Sequence, residues 1–209
     1  MCARLDTTGL LADVMYAVLR GNVDAGRERC RLYRRADGGY WLTSEFDLTL
    51  PSPHTLYSEV CVGADWRVES LKVRWSGNEL RDASHHVDGL LWKATIQTDE
   101  ATIERAVPFE PGTQVDFESV WSAMLALNWL KLTPGQAREV KVIRVELPSL
   151  EPVPAHRHYE CIGQEHVTTL AGDFEAMHYI PNAHHLWADS RGIIVAADGY
   201  RLLEYHWLS

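Results

Sequence analysis

Among side chains able to do chemistry, histidine is the most abundant candidate here: the chain has ten, and imidazole binds metals and moves protons near neutral pH. They gather as His85-His86, His156-Arg157-His158, His178 and His184-His185. In an extended strand His156 and His158 point to one side, a geometry in which two imidazoles can share one metal. A metal also needs a third and usually a fourth ligand, and no HExxH or facial-triad spacing supplies them. The expectation is surface or partly paired histidines in an acidic chain, with no metal and no cofactor. Nucleophilic catalysis has less support. There is no GxSxG elbow and no cysteine in a recognised motif. Gly38-Gly39 precedes a strand rather than a helix, so it is no phosphate cradle. Glu69, Glu160 and Glu175 could serve acid–base chemistry only if they faced an interior.

The aromatic inventory says more. Eight tryptophans and eight tyrosines are a heavy load of rings that are apolar in body and polar at one atom. Such side chains line apolar ligand cavities and can offer a hydrogen bond at the mouth. Trp75 and Trp92 fall on candidate strands, while Trp121, Met124 and Trp129 fall on a candidate helix. With His158 and Tyr159 these form the expected ligand-binding set. The competing reading of any one tryptophan is plain core filling, because a large sheet closing on a helix needs bulky residues.

These residues are positioned mostly by strands. Turn signals at Gly21–Gly26, Ala36–Gly39, Pro51-Ser52-Pro53 and Ser76-Gly77-Asn78 separate segments 15–20, 27–35, 40–50, 54–62 and 66–75. In 40–50, Tyr40, Leu42, Phe46, Leu48 and Leu50 alternate with polar residues at the period of two of a half-buried strand. Two further strands, near 89–97 and 101–109, meet at Thr98-Asp99-Glu100. Segment 115–130 breaks the pattern with a helical spacing of Phe117, Val120, Trp121, Met124, Leu125 and Leu127. Asp116 is its expected cap and Glu118, Ser119 and Ser122 its polar side. Asn128 falls in the apolar arc, where an unpaired amide would cost about 1–3 kcal/mol, so the helix is expected to end just before it.

Strand returns over 139–147, where the apolar phase switches between Val142 and Ile143 and implies a bulge or burial on both faces. Segments 157–162, 174–180 and 192–197 follow, and Asp198-Gly199 starts a final hairpin into 200–207. Short strands with turns at regular intervals define a mainly β chain, and crossover helices for parallel pairing are missing. The expected architecture is one domain over 1–209, a large curved antiparallel sheet or half-barrel wrapped around one apolar helix.

Composition sets the limits. A 209-residue chain with 46% hydrophobic and 23% charged residues folds around a real core. Its net charge of −9 argues against nucleic acid and against anionic membrane surfaces. No apolar run approaches the roughly 18 residues of a membrane span, so no stable membrane insertion is expected. Met1-Cys2-Ala3-Arg4-Leu5-Asp6 lacks the features of a signal peptide, so a cytoplasmic location is expected. There Cys2, Cys30, Cys61 and Cys161, with no CxxC pair, are expected as free thiols packed as small hydrophobes.

Leu130-Lys131-Leu132-Thr133-Pro134-Gly135-Gln136-Ala137-Arg138-Glu139-Val140, then Val142 to the Leu147-Pro148-Ser149-Leu150 exit, then Arg157-His158-Tyr159, resemble a bacterial glycolipid-binding family. Val107-Pro108-Phe109 and Trp187-Ala188-Asp189-Ser190-Arg191-Gly192-Ile193-Ile194-Val195 are similar to two more of its segments. The family's threonine- and asparagine-rich turn after Pro-Phe is replaced here by Glu110-Pro111-Gly112-Thr113. The resemblance implies a curved antiparallel sheet related in outline to lipoprotein-carrier (LolA/LolB-like) folds, with a helix over the concave face and acyl chains between. It implies no catalytic residues. The function expected is an intracellular binding protein for a hydrophobic or amphipathic small molecule, held between sheet and helix. The alternatives are an enzyme, a cyclase, isomerase or hydrolase, using His158 or a nearby carboxylate in the same cavity, and a homodimer formed through edge strands.

Overall fold

The computed structural model describes residues 7–208. Cys2 and the rest of segment 1–6, on which the targeting expectation rests, lie outside the described residues. One sheet carries fifteen strands: β1 (Thr7–Arg20), β2 (Val23–Arg35), β3 (Tyr40–Leu48), β4 (His54–Val62), β5 (Val68–Ser76), β6 (Leu80–Asp88), β7 (Leu91–Gln97), β8 (Thr102–Pro108), β9 (Gln114–Asp116), β10 (Ala137–Val145), β11 (Pro152–Thr169), β12 (Gly172–Pro181), β13 (Leu186–Ala188), β14 (Ile194–Ala197) and β15 (Tyr200–Trp207). Among the described residues a single helix, α1 (Val120–Leu130), interrupts them between β9 and β10.

The spatial order is β8-β7-β6-β5-β4-β3-β2-β1-β15-β14-β13-β12-β11-β10-β9. Successive hairpins build each half, and the pairing of β1 with β15 welds the first strand to the last. All pairs are antiparallel except β9 with β10. Bulges at Met15/Tyr16 and Val18/Leu19, at Cys61/Val62 and at Cys161/Gly163 bend the strands. The sheet curls into a half-barrel without closing. Edge strand β8 lies near β11, where Arg105 meets Glu151 at 2.7 Å.

Alternation accounts for most strands. Leu42, Phe46 and Leu48 of β3 are buried while Glu45 and Asp47 are exposed, and in β7 Trp92, Ala94 and Ile96 are buried between more exposed neighbours. Leu50 departs from its expected place: it lies past the end of β3 and is 49% exposed. Gly199 takes φ +81° in the tight turn between β14 and β15, a conformation open to glycine at little cost. β6 has no counterpart among the expected strands. Its fully buried inward positions are Ala83 and His85, one small and one polar, so the apolar alternation is weak. In β10, Val142 and Ile143 are both buried and the register runs without a break, so the phase switch reflects burial on both faces and not a bulge.

The helix differs from expectation at both ends and around its girth. Residues 114–116 form β9, and the cap is Ser119, whose Oγ accepts from Trp121 N at 3.1 Å. Asp116 instead takes Arg157 and the Ser122 hydroxyl. At the far end the helix runs past Asn128 to Leu130, because the Asn128 amide donates to Met124 O at 3.0 Å and to Gly192 O at 3.4 Å. The predicted polar side is absent as such: Ser119 and Ser122 are buried along with Val120, Trp121, Met124, Leu125, Ala126 and Leu127. A helix enclosed this fully is a core element.

Cys30 and Cys161 are free, buried thiols. Cys61 is disulfide-bonded, against the expectation of four free cysteines, and this removes part of the argument for a reducing compartment.

Candidate functional site

Two regions of the half-barrel bear on binding, the hollow around α1 and the mouth beside the β6–β7 turn. The hollow is organised by Glu28 of β2, a fully buried carboxyl. Its Oε1 accepts from Ser44 Oγ at 2.6 Å, from the Ser119 hydroxyl and from Cys30 Sγ at 3.4 Å, and its Oε2 accepts from Val120 N at 3.2 Å. Burial pushes its pKa up, against the pull of these donors. Glu28 therefore fastens the first turn of α1 to the sheet. Trp121 is pinned as firmly: its Nε1 donates to Tyr16 Oη at 3.3 Å, and Tyr16 donates to Ile194 O at 2.7 Å.

Little room remains here. The crevice between α1 and strands β3 and β4, walled by Leu42, Ser44, Ser58, Val60, Phe117, Trp121 and Leu125, admits no water-sized sphere. Trp121 and Met124, with 2% and 0% exposure, fill the core at this point. An acyl chain between helix and sheet finds no space there.

The mouth is different. A depression of about 410 Å³ lies between the β4–β5 connection, the β6–β7 turn and residues 109–113. That volume is within the usual span of small-molecule sites, roughly 300–1,000 Å³. Val68, Val87, Leu90, Phe109 and Pro111 give it an apolar lining, and Leu90 is 68% exposed. Phe109 N donates to Leu90 O at 2.8 Å, which ties segment 109–113 to the turn. The rim carries charges already paired within the chain: Arg35 with Glu69 at 2.6 Å, Arg67 with Asp65 at 3.2 Å and Lys141 with Glu110 at 2.6 Å.

Buried polar groups stand directly behind this lining. Trp92, its ring tilted against Phe109 at 5.2 Å, donates its Nε1–H to His85 Nδ1 at 3.1 Å. The accepting Nδ1 fixes the proton of neutral His85 on Nε2, and that atom is buried without a partner. Desolvation pulls the His85 pKa down to about 4, so the ring is neutral at physiological pH. His85 shares the inward face of β6 with Val87 of the lining. Gln114, next to Thr113 of the lining, is fully buried with both side-chain polar atoms unpartnered. Buried polar atoms normally find partners, and these side chains keep unused hydrogen-bonding capacity within the protein.

The expected site residues thus separate. Trp92 reaches the mouth through Phe109, and Trp129 through Gly112, where a Cβ would lie 3.4 Å from its ring. Trp75 lies elsewhere, folded over Gly77 and 6.2 Å from the His54 ring. His158 is exposed, with its backbone N donating to Asn182 Oδ1 at 2.7 Å. Tyr159 is buried, and desolvation beside the Asp116 carboxylate raises its pKa. His178 and His185 do come together, Nε2 to Nδ1 at 2.9 Å, beside Glu165 and Trp187. The pairing depends on a turn between β12 and β13, and β13 has only three residues.

Fold and mouth together define an open, barrel-like antiparallel sheet built around a core helix, with an apolar recess at one end. The chain belongs to the family described as "Putative glycolipid-binding", whose profile matches residues 19–201. A DUF1089 family protein from Pseudomonas aeruginosa has a similar solved structure, with 19% identity, a TM-score of 0.56, and coverage of 81% of this chain and 88% of that one. A barrel-like DUF1849 protein from Brucella abortus is also similar, with 8% identity, a TM-score of 0.57, and coverage of 96% and 98%. At these identities the likeness establishes the fold alone. No curated protein matches the chain. Among the described residues no helix is long and apolar enough to cross a membrane.

Proposed function

We propose that this protein binds an amphipathic, lipid-like small molecule at the mouth of the half-barrel, rather than between sheet and helix. The observation that carries this reading is the contrast between the filled crevice under α1 and the apolar recess at Val87, Leu90 and Phe109. Each methylene placed in the recess contributes about 0.8 kcal/mol, so a short alkyl segment gives useful affinity. The polar ring of His85, behind the lining through Trp92 and Phe109, suits a ligand that also carries a hydroxyl or carbonyl. Membership of a family described as glycolipid-binding supports the same ligand class.

Octyl glucoside below its micellar concentration is a suitable probe, with glucose as the control lacking an alkyl chain. Octyl glucoside is expected to shift tryptophan emission, because Trp92 and Trp129 border the recess, and glucose is not. Leu90→Glu replaces an apolar contact worth about 1.5–3 kcal/mol and weakens binding about tenfold or more. Equal affinity of wild type and Leu90→Glu, or no response to the glycolipid mimic, overturns the assignment.

A further inference from the structure

Away from the mouth, Glu165 of β11, His178 of β12, His185 of the β12–β13 turn and Trp187 of β13 form a hydrogen-bond chain with a fixed direction. The Glu165 carboxylate accepts from Trp187 Nε1 at 2.8 Å and faces His178 Nδ1 at 2.8 Å. These two contacts hold its pKa below the usual carboxylate range, the indole bond first. With its Nδ1–H given to Glu165, neutral His178 has a lone pair on Nε2. His185 Nδ1 lies 2.9 Å from that lone pair, so it must donate. His185 Nε2 is then left as a lone pair on an exposed residue, and no described protein group pairs with it.

The surroundings hold this arrangement in place. Trp187 stacks on His178 at 4.5 Å and 13°, and His178 on His185 at 5.1 Å and 28°. His185 N donates to Asp198 Oδ2 at 2.7 Å, and its carbonyl accepts from Asp198 N at 2.8 Å. The turn that delivers His185 keeps Asn182 and Ala183 at φ +46° and +67°. Left-handed backbone at an alanine persists only where its surroundings enforce it. Here Asn182 is clamped to His158 through N–H to O at 3.0 Å and through Oδ1 from N at 2.7 Å. A mere tie between β12 and its turn would need one hydrogen bond. It would not need a carboxylate-to-imidazole chain ending in an exposed imidazole nitrogen.

We propose that Glu165, His178 and His185 form an acid–base site, with His185 Nε2 as general base and neutral carboxylic esters as substrates. Water gives a proton to His185 Nε2 as its oxygen bonds to the ester carbonyl carbon. The carbon–oxygen bond to the alcohol then breaks, and the same proton passes from Nε2 to the departing alkoxide, yielding acid and alcohol. His185 is the catalytic residue. His178 and Glu165 are positioning residues that fix its tautomer and orientation through the hydrogen-bond chain. Glu165, Asp198 and a net charge of −9 disfavour anionic substrates, and the Trp187 ring offers an apolar platform for an acyl group.

p-Nitrophenyl acetate tests the site with the full chain. The wild-type rate should exceed that of buffer, and His185→Gln should cut the excess at least tenfold. His206→Gln, on an exposed histidine at the far end of β15, should leave it unchanged. Glu165→Gln should keep measurable turnover but move the pH–rate curve to lower pH, a shift that lost packing alone would not cause. If Glu165→Gln does not fold, Trp187→Phe removes the other hydrogen bond to that carboxylate and is read on the same curve. No excess over buffer, an unchanged rate in His185→Gln, or an unmoved pH curve overturns the proposal. Because this chain and the mouth share no residue, any of these results leaves the binding assignment standing.

Discussion

His85 and Glu28 are polar residues deep in the half-barrel whose ionisation the fold opposes, and their effects on stability have opposite signs. The His85 pKa falls from the ordinary 6.5 to about 4, so its contribution is complete above pH 6.5 and is lost as pH drops toward 4. A shift of that size corresponds to roughly 3 kcal/mol. Urea unfolding of wild type and His85→Phe at pH 7.5 and pH 4.5 should show the wild-type advantage shrinking at the lower pH; a constant difference would refute the assignment. Glu28 has a raised pKa, so its contribution is complete below the ordinary carboxylate pKa and declines as pH rises through the folded-state value. Glu28→Gln should therefore compare more favourably with wild type at pH 7 than at pH 4.5. Glu28→Ala should cost about 2 kcal/mol or more at either pH, because the hydroxyls of Ser44 and Ser119 and the Val120 amide lose their acceptor together.

At the scale of elements, the helix shows how local signals and tertiary partners divide the work. Its apolar spacing is plain in the sequence, but its start is not, because Asp116 and Ser119 are both competent caps. The choice falls to Ser119 because Glu28, distant in sequence, receives the Ser119 hydroxyl while Arg157 draws Asp116 into β9. Ser119→Ala should cost about 1–2 kcal/mol in urea unfolding, more than an isolated cap, since it removes a bond to Glu28 as well. At the other end the Asn128 amide lies against Gly192, where a Cβ would fall 2.3 Å from Nδ2 and where φ is +78°. Gly192→Ala should lower the melting temperature and Ala183→Gly should raise it, the latter by relieving about 1–2 kcal/mol of left-handed strain. Thermal melts that moved both the same way would contradict this.

At the scale of the whole molecule, the sheet depends on one seam. β1 pairs with β2 on one side and β15 on the other, so two hairpin series of different lengths become one sheet only there. Tyr16 strengthens the join by reaching from β1 to β14 and to the helix. A chain ending at Gly199 lacks β15 and leaves β1 and β14 with unpaired edges. Such a truncation should replace one cooperative urea transition with a broad or early one. The curl of the sheet also bears on where a ligand can go: side chains fill the crevice around α1, while the recess lies at one end of the half-barrel, walled by the β6–β7 turn, residues 109–113 and the ends of β5 and β6.

By itself the sequence determined the strands with clean alternation, among them β4 and β15 to the residue, the all-β class and the single apolar helix. Those properties follow from periods of two and 3.6 residues, which are local and visible in one chain. It could not reveal β6, whose fully buried inward residues are alanine and histidine, nor the three-residue strands β9 and β13, which exist only because a neighbour pairs with them. Only the tertiary structure decided that Trp121 and Met124 fill space while Trp92 and Trp129 back a recess, and that His178 meets His185 across a strained turn. The reason is that a side chain's type fixes what it can bond, whereas the curvature of fifteen strands fixes whether empty volume or another ring stands beside it.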